Sequence, residues 1–182
     1  MTDGRPRALV CHPDMATDAV RAVAARVWRA APDVLALAFV VEADLQRVRV
    51  PEPRPPQVVH GLWQHTCCEA FVRREGGDAY HELNLAPSGE WAAYAFDRYR
   101  DGLSGVDAAL ASAIAVRRGV DRLELEAQVA LARLSRAYLE QPLRVALAAV
   151  VEEQDGRLSY WALYHAPGPA DFHHADAFMV RV

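Results

Sequence analysis

The stretch "YHELNLAPSGEWAAYAFD", residues 80–97, decides the fold because it predicts a β-hairpin. Residues 79–86 and 91–99 have strand-like composition, and "PSGE" between them is a turn in which proline sets the backbone and glycine closes it. The alternation of this hairpin puts Glu82, Asn84 and Trp91 on one side. Core packing does not favour two polar residues there, and solvent exposure alone does not favour a tryptophan.

Strand and turn patterns continue on both sides of this hairpin. Residues 63–74 end at the turn "EGGD", and residues 143–165 form two strands around Asp155-Gly156. Further strand patterns occupy 34–43, 45–50 and 121–131, the last with inward aliphatic and outward polar side chains. The fold class is therefore predicted to be all-β, an antiparallel β-sandwich with short helical excursions.

Two segments are ambiguous on local grounds. Residues 15–31 have apolar side chains every four positions and many alanines, which favours a helix, although an alternating strand also fits. Residues 99–119 are interpreted as an irregular excursion with a helical turn.

Composition narrows the class of protein. A length of 182 residues fits a single domain over 1–182. The net charge of −4 lacks the basic excess that nucleic-acid binding requires. No stretch approaches the roughly 20 apolar residues of a membrane helix, and the first residues lack the apolar region of a secretory signal. We expect a soluble cytoplasmic protein with no nucleic-acid or membrane partner, and the sequence leaves open whether it has a protein partner.

The expected strand register sorts side chains onto two faces. A four-residue loop at "EGGD" pairs Glu69 with Asn84, and a two- or four-residue turn at "PSG" pairs Asn84 with Trp91 or Ala93. One face is then nearly uniformly apolar and is predicted to be core: Cys68, Ala70, Val72, His81, Leu83, Leu85, Ala92, Tyr94 and Phe96. The other face mixes acids, an amide and aromatic rings: Trp63, His65, Glu69, Phe71, Tyr80, Glu82, Asn84, Trp91 and Ala93.

This mixed face suits a carbohydrate. The apolar C–H faces of sugars stack on aromatic rings, while their hydroxyls need polar groups in fixed positions. Taken one at a time, each residue has a simpler interpretation as a solvated acid or a packing ring. As a group they predict a small-ligand site, with ligand-binding residues Trp63, His65, Glu69, Glu82, Asn84, Trp91 and Trp161.

The chain resembles the DOMON-like proteins related to family-nine carbohydrate-binding modules. The matching segments are "LWQHTCCEAFV" (62–72), "YHELNLAPSGEWAAYAFDRYRDG" (80–102), "DGRLSYWALYH" (155–165) and "DFHHADAF" (171–178). At one core position this chain has Cys68 where the family has phenylalanine.

The resemblance implies a jelly-roll-like sandwich in which residues 19–29 form the first strand. It also implies a sugar held between two tryptophans. Trp63 and Trp91 match that arrangement, but the pair of rings that flanks a ligand stays open. Some relatives bind calcium, yet no loop here has the required oxygen-rich pattern.

Two alternative functions accompany the hypothesis of a non-catalytic binding module. Glu69 and Glu82 are diagonal neighbours on adjacent strands, with Cβ atoms roughly 7 Å apart or less, so their carboxyl groups could reach the separation of about 5–5.5 Å that a retaining glycoside hydrolase requires. Some DOMON relatives bind haem, for which the chain offers Met15 and Met179. The segment "DFHHADAF" is interpreted as a closing loop and a rim of the pocket, since zinc would need a further ligand such as His165.

Overall fold

The computed structural model describes residues 4–102, 104–105 and 111–182. These residues form strands, short turns and one short helix. The strands are β1 (Arg7–Cys11), β2 (Val20–Ala31), β3 (Val34–Ala43), β4 (Cys67–Arg74), β5 (Tyr80–Leu85), β6 (Trp91–Phe96), β7 (Ser104–Gly105), β8 (Ala111–Arg118), β9 (Arg122–Ala130), β10 (Leu143–Glu152), β11 (Leu158–Ala162) and β12 (Val180–Arg181). The helix α1 spans Leu131–Leu134, and 3-10 turns lie at Pro13–Met15, Leu62–Gln64, Arg136–Leu139 and Ala175–Ala177.

The strands form one antiparallel sheet that folds onto itself. Its order is β7-β6-β5-β4-β10-β11-β1-β2-β3-β9-β8, with β12 added to β10. Strand β1 pairs with β11 on one side and with β2 on the other, so it joins two halves of the sheet. Buried side chains from both halves, such as Phe39 and Leu125 from one and Leu83 and Leu147 from the other, belong to one core. The predicted all-β antiparallel sandwich is confirmed.

Strand β2 replaces the helix that local propensity favours for residues 15–31. It pairs with β1 and with β3, and its Val23, Ala25 and Val27 are buried in the core. Long-range hydrogen bonding and burial therefore override the helix preference of alanine. The helix that local propensity favours does not form. The segment is a strand, as the family resemblance implies, but it is the second strand and not the first, because β1 precedes it.

Two other local predictions are also wrong. Residues 45–50 form a turn and a single bridge from Val48 to Glu153 instead of a strand. In the segment 99–119, residues 111–118 form strand β8, which pairs with β9; residues 103 and 106–110 lie outside the described part of the chain. Among the described residues no helix is long and apolar enough to cross a membrane.

The β4–β5 hairpin has the predicted register, because Glu69 pairs with Asn84 across a loop of the expected length. The β5–β6 hairpin does not. Ala86 N–H donates to Glu90 O and Gly89 N–H donates to Ala86 O, both at 2.9 Å, which leaves the three-residue loop 87–89. Gly89 has φ +89°, the left-handed conformation that such a loop requires at its last position.

The odd loop length reverses the faces of β6. Trp91 pairs with Leu85, Asn84 pairs with Ala92, and Glu82 pairs with Tyr94. Every β6 side chain therefore points to the face opposite to the predicted one. Trp91 packs in the core, while Tyr94 and Phe96 share the face of Glu82.

Candidate ligand-binding cleft

A cleft of about 710 Å³ lies over the face of β4, β5 and β6 that points away from the core. Strands β10 and β11 extend its floor, and loops around residues 60–63, 100 and 170–173 form its walls. Its lining combines acids, imidazoles, an arginine and aromatic rings: His60, Gly61, Trp63, Glu69, Glu82, Tyr94, Phe96, Arg100, Val150, Tyr160, Ala170, Phe172 and His173.

Two glutamates form the polar part of the floor. Glu69 on β4 pairs with Asn84, and Glu82 on β5 pairs with Phe71, so the two acids are diagonal neighbours on one face. Their exposed fractions are only 3% and 6%. Asn84 Nδ2 donates to Glu82 Oε1 at 2.8 Å. Glu69 Oε1 and Asn84 Oδ1 are buried and have no hydrogen-bond partner among the described residues.

Burial controls the ionisation of both acids. It raises the pKa of Glu69 well above its usual range, and the neighbouring charge of Glu82 raises it further. Burial also raises the pKa of Glu82, although the Asn84 hydrogen bond and the charge of Arg100 act in the opposite direction. Each carboxyl therefore favours its protonated form more than a solvated glutamate does, and the pair resists carrying two negative charges.

His173 lies above the acids and is held by Tyr80. The Tyr80 hydroxyl is hydrogen-bonded to His173 Nδ1 at 2.7 Å and accepts from Arg100 N at 3.1 Å. His173 Nε2 is 3.6 Å from Glu82 Oε2. Burial, assisted by the charge of Arg100, lowers the pKa of His173 to about 4. The imidazole is therefore neutral near pH 7 and gives Glu82 no positive partner.

The segment 171–178 forms one rim of the cleft. Arg100 Nη2 donates to Asp171 Oδ1 at 2.8 Å, and the Tyr99 hydroxyl donates to Asp171 Oδ2 at 2.9 Å. Asp176 N–H donates to His174 Nδ1 at 3.2 Å, so this imidazole caps the turn Ala175–Ala177. In the rim, the charge of Arg100 is balanced by its ion pair with Asp171. The same segment places Phe172 and His173 in the cleft.

Aromatic rings form the apolar walls. Trp63 projects from the turn Leu62–Gln64 and is 48% exposed, so a ligand can reach its ring. Tyr94 of β6 bonds to the facing loop through its hydroxyl, 2.9 Å from His60 Nδ1. This loop is held by the backbone of Trp91, which accepts from Val59 N at 3.0 Å and donates to Gln57 O at 3.1 Å.

The structure brings together some of the predicted site residues and separates others. Trp63, Glu69 and Glu82 line the cleft, and Asn84 is adjacent to it through its hydrogen bond to Glu82. The ligand-binding role of these residues stays a prediction.

The remaining predicted residues lie elsewhere. Trp91 and Trp161 pack in the core, so the expectation that Trp91 shares a face with Glu82 and Asn84 is wrong. Trp161 pairs with Ala149, and its Nε1 donates to Ser159 Oγ at 3.0 Å. His65 Nδ1 lies 2.8 Å from Glu152 Oε2, and its side chain does not line the cleft.

Sequence reasoning missed two kinds of lining residue. The sequence-based prediction places Tyr94 and Phe96 in the core because it assumes an even number of residues in the β5–β6 loop. The glycine of "PSG" was an available signal, because three-residue hairpin loops use a left-handed glycine at this point. His60, Arg100 and Phe172 lie on loops, where no periodic pattern indicates which way a side chain points.

The cleft does not resemble a metal or haem site. The described residues contain no cluster of three or more histidine, cysteine, aspartate or glutamate side chains arranged to hold a metal ion. Neither Met15 nor Met179 lines the cleft, and Met179 is 51% exposed. The residues present therefore do not fit a haem held by methionine and histidine.

Comparison with known proteins places the fold. No protein-family model and no curated protein sequence matches the chain. The chain is similar to a crystal structure at 2.70 Å resolution of a "putative carbohydrate-binding protein" from Bacteroides uniformis ATCC 8492. The TM-score is 0.66 with 13% sequence identity, and the match covers 95% of this chain and 83% of that chain. The two proteins therefore share a fold.

Proposed function

We propose that the protein is a non-catalytic binding module for a carbohydrate or a sugar-like metabolite, which it holds in the cleft over β4, β5 and β6. The observation that carries this proposal is the Glu69 carboxylate, which is 3% exposed and has a free acceptor oxygen at the floor of the cleft. A buried acceptor without a partner costs free energy that a ligand hydroxyl would recover.

The surroundings of that acceptor support a sugar. Trp63, Tyr160 and Phe172 offer ring faces and edges above a floor of carboxylates, the mixture that sugars require. A volume of about 710 Å³ lies within the range of small-molecule pockets. The Bacteroides uniformis protein of similar fold is a "putative carbohydrate-binding protein".

We further propose specific contacts and a family relationship. Glu69 and Glu82 accept hydrogen bonds from the ligand, Trp63 stacks on it, and Asn84 orients Glu82. Trp91, Trp161 and His65 are not included, because they lie in the core or outside the cleft. We also propose that the protein is related to DOMON-like proteins and family-nine modules. A single domain over 1–182 and a cytoplasmic location are further proposals.

Isothermal titration against a panel of mono- and disaccharides tests the proposal. We expect binding by at least one sugar, weakened about 10-fold by Trp63→Ala because a stacked ring contributes about 1 kcal/mol or more. Trp28→Ala is the matched control, since Trp28 is a partly buried indole under Arg26 on the other half of the sheet. An absence of heat for every sugar at millimolar concentration would overturn the proposal.

One observation favours a second candidate, glycoside hydrolysis. Glu69 and Glu82 line the same cleft as diagonal neighbours, and burial raises the pKa of each, as a general acid requires. Hydrolysis of aryl-glycosides by the wild type that disappears in Glu82→Gln would establish it. Glu90→Gln is the control, because Glu90 is a buried acid that bonds to Gln57 and Ser88 away from the cleft. A wild type without turnover excludes this candidate for the substrates used.

A further inference from the structure

The floor of the cleft has an unbalanced charge. The chain contains no lysine. Among the described arginines, none forms an ion pair with Glu69 or Glu82, and Arg100 at the rim is paired with Asp171 at 2.8 Å. The nearest group to Glu82 that can carry a positive charge is the imidazole of His173, whose Nε2 is 3.6 Å from Glu82 Oε2. Its pKa of about 4 leaves that imidazole neutral near pH 7.

Glu69, which lines the floor, is 3% exposed, and its Oε1 has no hydrogen-bond partner among the described residues. Among the same residues Asn84 Oδ1 is also unpartnered, but Asn84 is fully buried next to the cleft and does not line it. Glu82 Oε1 accepts one hydrogen bond, from Asn84 Nδ2. A ligand group that matches this surface brings several donors and a positive charge at once. A primary ammonium group has three donors and no acceptor, whereas a hydroxyl brings one donor and no charge.

We propose that the ligand is a sugar or sugar-like molecule with a primary amino group, whose ammonium binds between Glu69 and Glu82 at the floor of the cleft. This inference rests on the proposed function and names the ligand class for the same site. The charge of the ammonium favours the ionised form of both carboxyls, so a proton held by the acid pair leaves to solvent when the ligand binds. Such charge-assisted hydrogen bonds are stronger than those of a neutral hydroxyl.

The other groups that face the acids determine the pH dependence. Burial raises the pKa values of Cys67, Tyr80 and Tyr94, so these groups keep their protons at neutral pH. Arg100 is paired with Asp171, and β10 presents only alanine and valine to the acids. The acid pair itself is therefore the titrating group that an ammonium between the two carboxyls affects most directly. An ammonium favours the ionised form of the pair, so amine affinity rises from pH 5 to pH 7.

The test is a titration series with matched sugars. D-glucosamine, D-galactosamine and D-mannosamine are each compared with the neutral parent sugar and the N-acetyl derivative at pH 5 and pH 7, in two buffers of different ionisation enthalpy. We expect one amino sugar to bind at least ~10-fold more tightly than its parent at pH 7, or about 1.4 kcal/mol. Its binding should release protons and weaken at pH 5.

A variant separates the acid pair from other causes. Glu69→Gln keeps the shape of the side chain and should reduce the preference for the amino sugar over its parent to less than ~3-fold. Glu126→Gln, on the exposed face of β9, is the control and should leave the preference unchanged. Circular dichroism confirms that both variants are folded.

The outcomes distinguish the two proposals. A neutral sugar that binds as tightly as its amino counterpart, or without proton release, overturns the ammonium site and leaves the sugar cleft standing. No binding by any member of the series, together with the negative sugar panel above, overturns both.

Discussion

The two faces of strands β4, β5 and β6 are equally buried but chemically opposite. The core face is apolar, with Cys68, Ala70, Val72, Leu83, Leu85, Trp91 and Ala93. The cleft face carries Glu69, Glu82 and Asn84 among the rings of Phe71, Tyr80, Tyr94 and Phe96. Burial alone therefore does not identify a core. In this sheet the face with polar groups in need of partners is the candidate site.

The difference has a physical cause. Removing apolar side chains from water on the core face stabilises the fold by about 25 cal/mol per Å². Burying carboxyl groups on the other face opposes folding unless they are protonated or hydrogen-bonded. A fold that tolerates this disadvantage in one place does so where function provides a partner for the polar groups. Mutations on each face should then have different consequences.

The largest expected effect separates two tryptophans. Trp91→Ala should lower the free energy of unfolding by about 3–5 kcal/mol, because Trp91 is 3% exposed in the core. Trp63→Ala should change it by about 0.5 kcal/mol or less, because the Trp63 ring is half exposed. Urea denaturation followed by circular dichroism measures both. Similar small losses for the two variants would mean that Trp91 is not a core residue and that the β6 register is wrong.

A smaller effect concerns pH and Glu69. Since burial raises its pKa, the folded protein binds more protons than the unfolded chain above a pH of about 4.3. This carboxyl therefore makes the free energy of unfolding fall as pH rises from there to the folded pKa, by at most about 1.4 kcal/mol per pH unit. The difference between wild type and Glu69→Gln in urea denaturation from pH 4 to 8 isolates that slope.

The exposed Glu126, with 47% of its side chain accessible, gives the control variant for this measurement. Glu126→Gln should parallel the wild type over the whole pH range. A Glu69→Gln profile parallel to the wild type as well would show that Glu69 ionises normally and that the cleft floor is solvated.

A substitution in the loop that sets the β6 register should lower the free energy of unfolding by about 1 kcal/mol. Gly89→Ala puts a side chain on a residue with φ +89°, which destabilises the fold by about that amount. Gly77→Ala is the control, because its new Cβ would lie 3.6 Å from Arg74 in ordinary contact and its φ is not positive. Equal thermal stability of the two variants would contradict the three-residue loop.

The smallest effect is spectroscopic. The imidazole of His173 should titrate near pH 4, since it is buried beside Arg100. A ¹H–¹⁵N spectrum of the histidine side chains recorded from pH 3.5 to 8 measures this, with assignment by His173→Gln. A midpoint near the ordinary value of about 6.5 would place His173 in solvent, outside the cleft.

Part of the site follows from the sequence alone. The alternation in residues 79–86 and the four-residue loop before it correctly pair Glu69 with Asn84, which puts both glutamates on one face. Strands β3 and β9 follow equally well from their patterns, with β3 bounded at the predicted residues 34–43. Each of these features depends on a period of two residues, which the order of side chains records directly.

Other features were settled by the tertiary structure. Whether Trp91 points to the core or to the cleft depends on whether the β5–β6 loop has an odd or an even number of residues. The alternation of side chains within the two strands does not specify that number. Strand β2 exists because β1 and β3 supply its hydrogen bonds, against the helix preference of its alanines. His60 and His173 lie on loops and line the same cleft as the glutamates. Side-chain order specifies local alternation, whereas only long-range pairing and chain closure specify which groups come together in a cleft.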